Sequence, residues 1–233
     1  MAYFDHFAGT DISKTGRILV REKVKRQFEF LTACIDGDPG NIEVLEIGPG
    51  RGDLSKLFLE RGYQNYDVVE PNIQMRQNLN KSGIREIKEY MIPHLKERDS
   101  SYDIIIAADV FEHLNDTSEA KMFIKEAGRV LKKGGILFMA CPDLLDWGLD
   151  FWNGDYTHSN PTTLRRTLGL MSDNDLKICF QTYMYGCFTG IFGYLLGKGI
   201  RSLTFLSKGN SLSSKLYKLR TSFLRKFVVV GRK

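Results

Sequence analysis

The chain has 233 residues, 42% hydrophobic and 26% charged, with a formal net charge of +5, which supplies one large core and requires no second domain. Cys34, Cys141, Cys179 and Cys187 are widely spaced with no CxxC pair, which speaks against disulfides and structural zinc. The start, MAYFDHFAGTDISK, has neither a positively charged lead-in nor an apolar stretch, so no secretory signal is read there and a cytoplasmic chain is expected.

Met1 to Ile12 carries Tyr3, Phe4 and Phe7 and precedes a helix expected over about Arg17 to Ile35, so residues 1–40 read as an N-terminal helical cap. The run VLEIGPGRGD, Val44 to Asp53, then reads as a buried strand, a glycine turn and the start of a helix. Gly48, Gly50 and Gly52 let main chain approach a nucleotide-like ligand closely. The dinucleotide fingerprint GxGxxG would need glycine at position 53, where this chain has Asp53. Asp53 is expected to cap the helix, and Leu54, Leu57 and Phe58 form its apolar face before Gly62. Glu46, just before the turn, suits the cationic end of a ligand better than a pyrophosphate.

A second strand, Tyr66 to Val69, ends in Glu70 and Pro71, where folds of this kind place an acid on ribose hydroxyls. A third, Ile84 to Lys88, runs into Glu89, Tyr90 and Met91, whose apolar bodies could sandwich a purine or could be ordinary core. The fourth, Tyr102 to Asp109, is continuous and β-branched, as a strand buried on both faces should be. Asp116 and Glu119 form a capping box for a helix whose stripe is Phe123, Ala127, Val130 and Leu131, with Lys132 and Lys133 at its end and Gly134 and Gly135 stopping it. A fifth strand, Ile136 to Cys141, follows. Alternating strands and helices imply a doubly wound α/β fold with a parallel sheet.

The blocks VLEIGPGRG, VVEPN, YDIIIAADVFEHL and RVLKKGGILFMACPD, in this order, resemble the class I S-adenosylmethionine-dependent methyltransferases, in particular small bacterial ones of polysaccharide, lipid and quinone pathways. The likeness covers about Asn41 to Asp143. It implies a mostly parallel seven-stranded sheet with an antiparallel last strand, and S-adenosylmethionine as cofactor. By it, Glu46, Gly48, Gly50 and Gly52 would hold the methionine end, Glu70 with Pro71 the ribose, and Tyr90 and Met91 the adenine. The usual aspartate near the adenine is not evident, Glu89 being the nearest acid, and Asp109 is grouped with the cofactor residues.

Methyl transfer asks mainly for positioning and, for a hydroxyl acceptor, for a proton acceptor such as a histidine near neutral pKa. His158 lies in FWNGDYTHSNPTTL, after the fifth strand, over the carboxyl ends of the sheet. It is the preferred base, with Asp155 and Tyr156 as candidates to orient it, although a loop histidine capping the helix near Pro161 is an equal alternative. Asp109, Glu112 and His113 resemble a divalent-ion set of some quinone-pathway O-methyltransferases, but the default reading is a histidine lining the cofactor pocket, and no metal is expected. His6 and His94 are given no role.

The tail from Leu176 to Lys233 holds 11 of the 33 Lys and Arg and none of the 28 Asp and Glu, so it suits an anionic partner. Lys177 to Tyr185 and Phe227 to Arg232 read as a sixth and a seventh strand, which leaves Gly186 to Lys226 as an insertion on a core of residues 41–185 and 227–233. Within it Phe188, Ile191, Phe192, Tyr194, Leu195 and Leu196 alternate with glycines. Further on, Leu216, Leu219, Phe223 and Leu224 recur at helical spacing beside Lys215, Lys218, Arg220, Arg225 and Lys226, an interfacial pattern. Peripheral membrane contact and a lid or dimer surface are equal readings. Ile178 to Gly197 carries no charge over 20 residues, yet Gln181, Thr182 and its glycines argue against a span. Without an RNA-binding motif, no nucleic-acid partner is expected.

The expected activity is therefore methyl transfer from S-adenosylmethionine to an oxygen of a lipid-linked or envelope-saccharide acceptor, at the inner membrane face or free in the cytoplasm. A non-catalytic member that binds the cofactor or a partner subunit is the second reading, and a nicotinamide oxidoreductase a distant third. Oligomeric state is not legible.

Overall fold

The structure, a computed structural model, describes residues 13–79, 83–205, 217 and 219–233. Its elements are α1 (Lys14–Thr32), β1 (Val44–Ile47), α2 (Asp53–Glu60), β2 (Tyr66–Val69), α3 (Ile73–Leu79), β3 (Glu86–Lys88), β4 (Tyr102–Ala108), α4 (Thr117–Val130), β5 (Leu131–Pro142), α5 (Leu144–Trp147), α6 (Asp150–Asn153), α7 (Leu164–Ser172), β6 (Lys177–Tyr185), β7 (Phe188–Thr189), α8 (Gly190–Phe205) and β8 (Arg225–Arg232). The strands form one sheet in the order β3-β2-β1-β4-β5-β8-β6-β7. β1 to β5 pair in parallel, and β8 runs antiparallel between β5 and β6. The expected doubly wound, mostly parallel sheet is present, extended by the two-residue edge strand β7.

Each central strand is buried on both faces because helices cover both. On one face Val44, Val68, Ile106 and Phe138 meet Val24, Phe28 and Leu31 of α1 and Leu54 and Phe58 of α2. On the other, Leu45, Ile105, Leu137 and Val229 meet Phe123, Ile124 and Ala127 of α4 and Met171 of α7. These strands carry near-continuous apolar runs, as two-sided burial demands.

Several local expectations are corrected. α4 ends at Val130, and Leu131 already has extended backbone and pairs with Tyr102, so Lys132 and Lys133 belong to a strand that turns at Gly134. Asp53 does not cap α2. The cap position is Gly52, and Asp53 sits in the first turn, where its charge complements the helix dipole.

The insertion begins with β7 and α8, and β8 starts at Arg225, earlier than expected. Phe223 and Leu224 are buried, Phe223 stacking on Phe188 and Leu224 packing on Trp147 and Phe151, so they form no exposed interfacial face. Met1 to Ile12, with His6, and Lys215, Leu216 and Lys218 lie outside the described residues. Among the described residues no helix is long and apolar enough to cross a membrane.

Candidate active site

The glycine turn between β1 and α2 is left-handed at each glycine, with φ of +63° at Gly48, +57° at Gly50 and +74° at Gly52. Side chains rarely adopt such backbone. A Cβ on Gly48 would lie 2.7 Å from Val110 Cγ2, and one on Gly52 would lie 2.6 Å from Leu79 Cδ2. At Gly50 the same atom would meet nothing within 4 Å among the described residues, so this peptide faces open space.

Two buried carboxylates flank the turn. Glu46 lies beneath it and accepts hydrogen bonds from Ser55 Oγ at 2.5 Å and Tyr66 Oη at 2.8 Å, both on Oε2. Burial pushes its pKa up to about 7, and these two bonds only partly offset that, so Glu46 is partly protonated at neutral pH. Glu70 Oε1 accepts the Asn72 amide at 2.9 Å. Its pKa is raised by burial and opposed by the Asn72 amide, the Arg76 charge and the Gly50 amide, which brings the carboxyl to the glycine turn. Arg76 donates to the carbonyls of Glu70 and Pro71 at 3.0 and 2.7 Å and pairs with Glu89 at 2.8 Å. It thereby joins the ends of β2 and β3.

Tyr90 and Met91 face different surroundings. Tyr90 is buried and donates to Glu97 Oε2 at 2.6 Å, whereas Met91 is 64% exposed. Only Met91 is free of core packing.

Asp109 follows β4 with φ +57° and is held by Lys23 Nζ of α1 at 2.9 Å and Lys226 Nζ of β8 at 2.5 Å. Burial pushes its pKa up, but the two ammonium groups outweigh that and hold the carboxyl well below the usual range. Both oxygens are thus engaged within the protein. Neither lysine could be singled out from sequence, since the clamp joins three distant segments.

His158 is buried beside Phe151 and Trp147, with ring centroids 4.7 and 6.4 Å away. Its Nδ1 lies 2.6 Å from the Phe151 carbonyl oxygen. A carbonyl only accepts, so Nδ1 carries the proton and Nε2 the lone pair of the neutral ring. Asp155 does not orient this ring through a hydrogen bond. Its Oδ2 is 3.7 Å from His158 Nε2, while Oδ1 accepts from the Thr157 amide at 2.9 Å and hydroxyl at 2.6 Å. Tyr156 is exposed. The Thr157 hydroxyl, which donates its hydrogen bond to Asp155, accepts one from His113 Nδ1 at 2.8 Å.

The His113 and His158 rings lie 4.8 Å apart. Both pKa values are lowered, first by burial and at His158 also by His113, so both rings are neutral at pH 7. Glu112 adjoins them, buried, with its pKa pushed up to about 8 by burial and by Asp109. Asn160 fixes this corner, its amide bonding the Glu112 carbonyl and its side chain that of Phe111, each at 3.0 Å. Sequence reasoning placed Glu112 only in a metal set. The adjacent EH pair and the TH pair were visible, but their meeting across the sheet top was not. His94 is exposed.

Residues 17–183 match the methyltransferase domain family. The chain is 28% identical over 124 residues to a ubiquinone biosynthesis O-methyltransferase of Pelagibacter ubique, a match covering 52% of this chain and 50% of that protein. It thus spans about half the length of that relative. It resembles the structure of an S-adenosylmethionine-dependent methyltransferase from Archaeoglobus fulgidus with a TM-score of 0.66 and 19% identity, covering 100% of this chain and 98% of the other. It is also similar to the [4+2]-cyclase SpnF, with a TM-score of 0.67 and 16% identity over 97% of this chain and 84% of the other. The fold alone therefore does not name a reaction. The matched domain, the parallel sheet and the glycine turn flanked by Glu46 and Glu70 agree, and the chain belongs to the methyltransferase domain family, the class I S-adenosylmethionine-dependent methyltransferases.

Proposed function

We propose that this protein transfers a methyl group from S-adenosylmethionine to an oxygen of a lipid-linked or envelope-saccharide acceptor. The carrying observation is His158, a buried neutral imidazole whose Nδ1 is tied to Phe151 and whose Nε2 is left as the proton acceptor. The Pelagibacter relative is named for O-methylation, which favours oxygen over nitrogen or carbon.

The open peptide at Gly50 and the adjoining acids fit the cofactor. Gly48, Gly50 and Gly52 with Glu46 would hold its methionine end, and Glu70 at Pro71 its ribose. Met91, with the edge of the Tyr90 segment, would cover its adenine, and Asp109 would close the crevice from the β4 end. When bound, it supplies a methyl carbon made electrophilic by a positively charged sulfur. His158 then takes the acceptor's hydroxyl proton as the oxygen attacks, and Phe151 keeps the ring from turning its N–H toward the acceptor. Trp147 and Phe151 exclude water from the imidazole.

The lipid assignment rests on two exposed apolar segments. Leu145, Leu149 and Trp152, on or between the short helices that shelter His158, are 75%, 83% and 43% exposed, and Ile191, Phe192 and Leu195 of α8 are 78%, 62% and 60% exposed. Arg201 of α8 reaches Asp146 at 3.3 Å, which links the two apolar segments. Of the two, the α8 segment carries no acid, and exposed apolar side chains on such a segment suit an anionic lipid surface.

Incubation with labelled S-adenosylmethionine and extracts of lipids and glycans tests the activity. The expected product is a labelled methyl ether. Sedimentation with vesicles tests the surface, and binding to anionic but not neutral vesicles is expected. Failure to label any extract would overturn the enzymatic reading, and indifference to both vesicles the lipid one.

A further inference from the structure

Glu112 is a buried carboxyl with incomplete internal bonding. It is 1% exposed, and its Oε2 has no hydrogen-bond partner among the described residues. One carboxylate oxygen, one ring nitrogen of His113 and one of His158 all lie within 4.8 Å of one another. A buried acid left in this state weakens the fold unless the charge it can carry is used.

We propose that Glu112 is a positioning residue for the histidine base, its carboxylate stabilising the imidazolium that forms on the His113–His158 pair when an acceptor hydroxyl gives up its proton. The inference rests on the reading above, in which His158 is the proton acceptor. In the step itself the acceptor O–H bond breaks, the proton goes to His158 Nε2, and the oxygen's electron pair forms the bond to the methyl carbon. The leaving sulfur keeps the electron pair of the broken C–S bond. The enzyme is left with one additional proton inside a buried cluster, on an imidazolium that Glu112 neutralises once it has ionised, which its raised pKa of about 8 favours toward higher pH.

That cluster resists isolated charge of either sign. Burial pushes Glu112 up to about 8 and both imidazoles down. A carboxylate beside an imidazolium answers both penalties together. The groups bearing on Glu112 come from every side: Asp109 after β4, Lys23 on α1 and Lys226 on β8, with His113 on its own turn within 4.8 Å. Cys141 on β5 and, through the histidines, Asp155 in the following loop complete them. Asp109 raises the carboxyl and the two lysines lower it. The lysines also disfavour a dication at the same three atoms.

Nuclear magnetic resonance titration of ring-labelled histidine and carboxyl-labelled glutamate tests this on the protein saturated with S-adenosylhomocysteine, so no acceptor need be known. In the wild type, the Glu112 carboxyl and at least one of the His113 and His158 rings should report a common step near pH 8. In Glu112→Gln that step should vanish from the rings, and their remaining titration should fall by about one pH unit or more. Identical ring titrations in both proteins would overturn the proposal. So would a Glu112 step that neither ring senses, or stoichiometric Mg²⁺ or Mn²⁺ raising the Tm of the wild type but not of the variant, which would mark a metal ligand. If Glu112→Gln does not fold, the wild-type titration decides alone. Success in this titration with no labelled methyl product would fault the enzymatic reading and not the coupling.

Discussion

His158 donates its Nδ1 proton to the carbonyl oxygen of Phe151 across 2.6 Å, a bond that sets both the tilt and the tautomer of the ring. The acceptor oxygen belongs to the main chain, so no side-chain substitution removes it. The catalytic consequence is tested at the histidine. His158→Ala should lower methyl transfer by about 100-fold or more while leaving S-adenosylhomocysteine affinity within about twofold. Calorimetry and labelled transfer measured on the same preparation check this. Near-normal turnover would remove His158 from the chemistry.

The lysine clamp makes a stability prediction. Asp109 is depressed by Lys23 and Lys226, although the partners do not benefit equally: burial lowers Lys23 overall, whereas Asp109 holds Lys226 above its ordinary value despite burial. Lys226 is the partner that gains. A depressed carboxyl stabilises the fold above its ordinary pKa of about 4 and loses that contribution as pH falls toward the depressed value. Asp109→Asn should therefore cost about 1–2 kcal/mol at pH 7, discounted because the side chain is a third exposed, and progressively less in acid. Urea unfolding at pH 7 and at about pH 3 measures both.

The glycines of the turn should separate folding from binding. Gly50→Ala meets no atom of the described residues, so it should cost only the left-handed backbone penalty of about 1–2 kcal/mol and weaken S-adenosylhomocysteine binding about tenfold or more. Gly52→Ala drives a methyl into Leu79 at 2.6 Å and should cost more stability than Gly50→Ala. Equal effects of the two on stability, with unchanged affinity, would show that the crevice is not the cofactor site.

Glu46 makes stability fall as pH rises. Its pKa is raised from an ordinary 4.5 to about 7 in the fold. Its contribution is therefore fully present below the ordinary value and lost as pH climbs through about 7, by about 3 kcal/mol in all. Glu46→Gln keeps an oxygen able to accept from Ser55 and Tyr66 and should flatten this loss between pH 5 and pH 8. A slope as steep in the variant as in the wild type would place the titration elsewhere, Glu112 being the first alternative.

What could be read from the sequence was local. Val44 to Ile47, Tyr66 to Val69 and Lys177 to Tyr185 are strands at the expected residues, because apolar runs bounded by turn residues leave little choice. The end of α4 was misjudged because Lys132 and Lys133 suit a helix terminus as well as a strand edge, and the pairing of Leu131 with Tyr102 decided it. Phe223 and Leu224 carry helical spacing, but stacking on Phe188 and Trp147 outweighs an exposed face. The chemistry was the least legible part. His113 and His158 stand 45 residues apart, and the bonds of Asn160 and Thr157 bring their corners together. No periodicity encodes such a meeting.

The placement of β8 has an implication for assembly. Residues 225–232 are inserted between β5 and β6, so the strand made latest of those described is the one that fastens β6, β7 and α8 to the parallel half. It also delivers Lys226 to Asp109. Until that strand docks, its neighbours expose long open edges and Asp109 lacks one of its two lysines. Docking demands contacts between residues far apart in the chain, a slow step in sheet formation. Competence for chemistry should thus arise late and all at once, with half-built molecules prone to pair with each other through those edges.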